Sequence, residues 1–146
     1  MSRPPSPRIS ATAYQNLGRA AVPLAELLDI RTELLQYGHA RLRLPWDEQL
    51  LRPGGVVSGP ALFALTDMTM YGLVMSARGA LEMAVTSDIS IRFLRAARAG
   101  DVVADGYLLR IGRRLATCEV RMFTDGDERA VAHATGTYAI PPEGAS

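Results

Sequence analysis

Lysine is missing from this chain and cysteine nearly so. All 16 basic residues are arginine, set against 15 acidic ones, for a formal net charge of +1. So close a balance gives no global field for nucleic acid or an anionic membrane, and neither is expected as a partner. The missing lysine is read as a mark of genomic base composition rather than of phosphate recognition. The lone cysteine, Cys118, excludes an internal disulfide and fits a reducing compartment, so a cytoplasmic location is expected. The only two histidines, His39 and His133, have no cysteine or carboxylate at ligand spacing, so no metal site is expected. Met1 to Pro7 is polar, rich in Pro, Ser and Arg, and lacks the apolar core of a secretory signal.

Charge is scarcest between Val56 and Ala77, where Asp67 is the only ionisable carboxylate or cation. The stretch approaches membrane-spanning length, but Ser58, Pro60, Thr66, Asp67, Thr69 and Ser76 argue for a buried core helix instead. A carboxylate on such a helix costs several kcal/mol, on the order of 3–5, unless it is paired or used. Asp67 is therefore the first candidate for chemistry. Ser58 is a good N-cap and Pro60 suits the first helical turn. Gly59 leaves its backbone N–H unobstructed at the positive end of the helix dipole.

At 146 residues the chain fits one domain. The expected layout is a disordered tail over 1–9, a folded domain over 10–140 and a C-terminal tail over 141–146. Ser10 to Ile30 reads as one or two short helices broken at Pro23. Arg31 to Leu44 reads as a hairpin around Gly38, in which Ala40, Leu42 and Leu44 alternate with Arg41 and Arg43. Trp46 to Pro53 reads as a connecting turn, followed by a long helix over about 59–78 that ends at Arg78-Gly79.

Beyond Gly79 the hydrophobic period changes from 3.6 to 2. Val85, Ile89, Ile91 and Phe93 alternate with Thr86, Asp88, Ser90 and Arg92, and Ala116, Cys118, Val120 and Met122 alternate with Thr117, Glu119 and Arg121. Asp101 to Ile111 supplies a strand between these two, and Asp125-Gly126 signals a hairpin into a last strand over Arg129 to Ile140. In that last strand Ala130, Ala132, Ala134 and Gly136 make a smooth face on which a helix can lie close. The fold class expected is α+β: a curved antiparallel sheet wrapped around one long central helix.

The run Arg52-Pro-Gly-Gly55-Val-Val-Ser58-Gly59-Pro60 followed by Asp67 resembles the Asn-x-x-Gly-x-x-His-Gly-Gly…Asp signature of hotdog-fold acyl-CoA thioesterases, in the branch with the phenylacetate-pathway and 4-hydroxybenzoyl-CoA enzymes. The segment Thr86 to Asp101 is similar to that family's central strand and its turn, and the likeness runs from about Leu24 to Ile140. The resemblance implies a hotdog fold, with Asp67 as catalytic carboxylate, Gly59 as the N–H that polarises the thioester carbonyl, and Thr86 as a hydroxyl that orients water. Two departures stand out: the family's His is Ser58 here and its Asn or Gln is Arg52. The second Gly is Pro60, which has no N–H to donate.

Gly59 and Asp67 are eight residues apart, so at about 1.5 Å per residue they lie roughly 12 Å apart along the helix axis. One thioester carbon cannot be within about 3 Å of both on a straight helix. If both act on one substrate they come from different subunits, which calls for a two-fold dimer with two composite sites; whether dimers pair into tetramers stays open. Asp67 would act as general base on water or as a direct nucleophile. Ser58, Arg52, Pro60 and Tyr71 are expected to contact substrate. Coenzyme A enters only as part of that substrate, and its phosphates call for cations such as Arg92, Arg95, Arg98, Arg113 and Arg114. A non-catalytic acyl-CoA-binding dimer and a hotdog enoyl-thioester hydratase or dehydratase are the alternatives. The latter is disfavoured because no His accompanies Asp67.

Overall fold

The computed structural model describes residues 3–142, so the last four residues of the expected C-terminal tail, and Met1 and Ser2, fall outside it. Arg3 to Pro7 are exposed and without helix or strand, whereas the Arg8 N–H donates to the Ser76 carbonyl and Ile9 packs on the core. Helix α1 (Ala11–Ala21) starts at Ser10, whose hydroxyl accepts from the Ala13 N–H, and the chain breaks at Val22 before α2 (Pro23–Leu27). Proline at the first position of α2 is where the ring's missing N–H is harmless.

Strands β1 (Arg31–Gln36) and β2 (His39–Leu44) form the expected hairpin. The segment read as a plain turn holds more: a 3-10 turn over Glu48–Leu50, then a small ribbon of β3 (Leu51–Arg52) and β4 (Val56–Val57). Its bend is Pro53-Gly54-Gly55, with φ of 94° and 71° at the two glycines, a region that L side chains avoid. The ribbon fixes the entry to the long helix α3 (Gly59–Arg78), because the Ser58 N–H donates to the Leu50 carbonyl and the Val57 N–H to the Ala97 carbonyl.

Strands β5 (Val85–Phe93), β6 (Val102–Ile111), β7 (Leu115–Thr124) and β8 (Ala130–Ala139) complete an antiparallel six-stranded sheet in the order β1-β2-β6-β7-β8-β5. Helix α3 touches every strand of that sheet, as a sheet wrapped around it must. Close approach depends on small residues: Ala132, Ala134 and Gly136 of β8 are all buried. A Cβ on Gly136 would lie 2.8 Å from Met70 Sδ on α3.

The strand β5 corrects one expectation. A β-bulge between Thr86 and Asp88 inserts Ser87 and reverses the alternation for the residues before it. Thr86, expected on the wet face, turns toward α3 opposite Tyr138, while Val85, expected on the apolar face, is 54% exposed.

The apolar helix is not covered on every side. Pro60 and Phe63 are exposed and Ala64 and Asp67 are half-buried, which at i, i+3, i+4 and i+7 is one stripe of α3. Beside it β5 ends the sheet with an unpaired edge carrying exposed Val85 and Phe93. Among the described residues, no helix is long and apolar enough to cross a membrane.

Candidate active site

Asp67 sits one turn before Tyr71 on α3 and is held by two hydroxyls from the sheet. Thr86 Oγ1 donates to its Oδ1 at 2.7 Å, and the Tyr138 hydroxyl donates to the same Oδ1 while lying 3.2 Å from the Asp67 carbonyl. Thr86 and Tyr138 are direct cross-strand partners on β5 and β8, which is why both reach one oxygen. Among the described residues nothing donates to Oδ2, and no arginine pairs with the carboxylate. Burial, then the charge of Asp67 and the bond to it, push the Tyr138 phenol far above its ordinary range, so it stays a donor.

Other tyrosines back this arrangement. Tyr71 stacks on Tyr138 with ring centroids 6.0 Å apart and meets Tyr14 edge-on at 6.1 Å. Tyr14 is buried between α1 and α3, where its hydroxyl donates to the Met68 carbonyl at 2.5 Å. Tyr71 gives its own proton to the Glu82 carbonyl at 2.8 Å. Burial raises the pKa of both phenols. Asp67, Tyr71, Thr86 and Tyr138 together line a cavity of about 260 Å³ whose other walls include Met68 and Val85.

A second cavity, of about 680 Å³, opens at the N-terminus of α3 and is lined by Arg52, Ser58, Gly59, Pro60, Phe93 and Arg95 among others. Ser58 occupies the N-cap position with extended backbone (φ −68°, ψ 153°), but its hydroxyl makes no capping bond, contrary to the expectation of a capping serine. Among the described residues the Gly59 N–H meets no acceptor, as befits the first N–H of a helix. The two cavities do not share Gly59 and Asp67: each holds one of them.

Of the arginines suggested for coenzyme A, Arg95 lines the Gly59 cavity, together with Arg52, which was expected to contact substrate. Arg92 pairs with His133 on the face of the sheet turned away from α3, and Arg98 lies exposed in the following loop. Arg113 and Arg114 belong to the β6–β7 turn, which Arg78 at the far end of α3 touches through the Gly112 carbonyl at 2.9 Å. A 20-residue helix separates that turn from Gly59 by about 30 Å within one chain. Neither histidine is near Asp67: His39 pairs with Asp105 and His133 with Glu119, at 2.7 and 2.8 Å.

Tyr138 is the site residue that sequence reading missed. A signal for it exists, because it continues the alternation Ala132, Ala134, Gly136 of β8 and is the one large polar side chain on that helix-facing row.

The chain matches the Thioesterase superfamily over residues 54–131, the stretch that spans the Gly59 turn, Asp67 and Thr86. It belongs to that family. A relative from Halobacterium salinarum, provisionally described as an esterase, is 34% identical over 80% of this chain and 83% of its own length. Among solved structures, a provisionally assigned thioesterase from Silicibacter sp. TM1040 is 35% identical and superposes with a TM-score of 0.84, covering 93% of this chain and 94% of that one. The phenylacetic acid degradation protein of Thermus thermophilus, solved in a mutant form, is 28% identical with a TM-score of 0.72, covering 82% of this chain and 99% of that one. The α+β architecture is thus the hotdog fold of thioesterases, and the chain is a thioester hydrolase.

Proposed function

We propose that this thioesterase hydrolyses an acyl-CoA or aryl-acyl-CoA ester in composite sites at the interface of a homodimer. The observation that carries the reading is the separation of Gly59 and Asp67 into different cavities of one subunit, together with the uncovered stripe and sheet edge beside them. A second copy laid across the Pro60, Phe63, Ala64 and Asp67 stripe would cover apolar surface left bare in the single chain and bring its Asp67 toward the first copy's Gly59.

In that site the thioester oxygen accepts from the Gly59 N–H, where the helix dipole and the free donor stabilise the negative charge that develops on attack. Asp67 of the other copy takes a proton from water or attacks the carbonyl carbon itself, and the thiolate leaves. Arg52 and Arg95 beside Gly59 are the cations best placed for phosphates of coenzyme A. With no histidine at Asp67 among the described residues, the hydratase alternative has no acid–base pair to work with.

A thiol-release assay over short, long and aromatic acyl-CoA esters tests the activity. Asp67→Asn should lose about 100- to 10,000-fold in kcat while keeping its fold. Gly59→Pro removes the N–H at a helical position that tolerates proline. Co-expressed Asp67→Asn and Gly59→Pro chains should regain activity, because each mixed dimer holds one intact site. Mixed dimers as inactive as either parent would show that the site lies within one chain.

A further inference from the structure

We infer that Tyr138 is a positioning residue which, with Thr86, occupies Oδ1 of Asp67 and reserves Oδ2 as the oxygen that reacts. The inference rests on the thioesterase reading above and concerns how its carboxylate is aimed. Both donors come from facing positions of β5 and β8, and both point at one oxygen rather than dividing between two. Oδ2 has no donor among the described residues. A carboxylate anchored through one oxygen has its remaining lone pairs directed by that anchor, so its rotation on the helix is restricted.

The groups facing this carboxylate are few. Helix α3 contributes Tyr71, β8 contributes Tyr138 and β5 contributes Thr86, with Glu82 at the cavity wall and Tyr14 behind Met68. Among the described residues no cation joins them. The two hydroxyls are therefore the groups that fix this half-buried carboxylate in place. During hydrolysis, Oδ2 accepts a proton from water as the water oxygen bonds to the carbonyl carbon. The C–S bond then breaks, the thiolate departs with the electron pair, and the proton on Oδ2 is returned to it. If Oδ2 attacks directly, its new C–O bond replaces the C–S bond, the thiolate departs with the electron pair, and water later cleaves the anhydride to the free acid and the Asp67 carboxylate.

The anchor at Oδ1 depends on the β-bulge at Ser87, since without it Thr86 would face away from α3. Tyr138 in turn is fixed by burial and by its stacking on Tyr71.

The test uses the full-length protein, with Tyr138→Phe and Thr86→Val each removing one hydroxyl while keeping shape. Each should lower kcat about tenfold and leave KM within about twofold. Thr86→Ser should restore wild-type values. Thr86 lies on an exposed edge strand, so its variants carry the test should Tyr138→Phe not fold. An unchanged kcat, a loss confined to KM, or a Thr86→Ser variant no better than Thr86→Val would overturn the positioning role while Asp67→Asn still abolishes turnover. A wild-type protein that releases no thiol from any ester would overturn the thioesterase reading itself and this role with it.

Discussion

The ring of Phe93 lies over Gly59, close enough that a Cβ built on the glycine would be 3.3 Å from Phe93 Cζ. The contact joins the end of β5 to the start of α3 and forms a wall of the larger cavity. Gly59→Ala keeps the N–H but pushes on this ring. Because Phe93 is 55% exposed, the ring can move and the fold should hold, with unfolding free energy changed by less than about 1 kcal/mol. The displaced ring narrows the cavity, so KM for the thioester substrate should rise about tenfold. Phe93→Ala in the same background should bring it back, and steady-state kinetics with thermal melts would show both effects.

Gly136 offers no such freedom. A Cβ there would meet both Met70 Sδ and the Asp88 carbonyl at 2.8 Å, the second being backbone that cannot step aside. Gly136→Ala should cost about 1–3 kcal/mol by overpacking. Urea unfolding would report it as a lower midpoint at an unchanged slope.

Cys118 is fully buried on β7, and burial pushes its thiol up to about 12. Neither access nor thiolate is available near pH 8, so the native protein should resist a thiol reagent. One equivalent should react once denaturant opens the fold. Modification of the native protein at the denatured rate would contradict this.

Asp101 ties the β5–β6 connection to the strand region around Arg43. It accepts from the Trp46 N–H at 2.7 Å and from Arg43 at 3.0 Å, and these bonds, the former first, hold its carboxyl below the usual range. A carboxyl depressed in the folded state stabilises above its unfolded value of about 3.9, and that contribution is lost as pH falls through the folded value. Asp101→Asn should therefore melt earlier than wild type at neutral pH, with the gap closing as pH falls below about 3.9 and through the lower folded value. A gap of constant size across that range would refute the assignment.

Much of the fold was legible in the sequence because its signals are local. The limits of α3 follow from Ser58, Pro60 and the Arg78-Gly79 stop, and the period-2 runs after Gly79 mark the strands. Asp67 stood out as a lone charge in an apolar run. The β3–β4 ribbon was hidden because two-residue strands carry no period at all. The outward turn of Val85 and the inward turn of Thr86 were hidden for a different reason: alternation assumes an unbroken pleat, and one extra residue at Ser87 breaks it. Tyr138 reaches Asp67 across 71 positions of sequence, a pairing set by strand register and invisible to any local window.

That one surplus residue decides which side chain of β5 stands beside Asp67. Shortening β5 by a single codon at position 87 would straighten the strand and leave Thr86 opposite Tyr138. Straightening it with every residue kept would instead turn Ser87 inward and Thr86 outward, so the arrangement depends on counting as much as on composition.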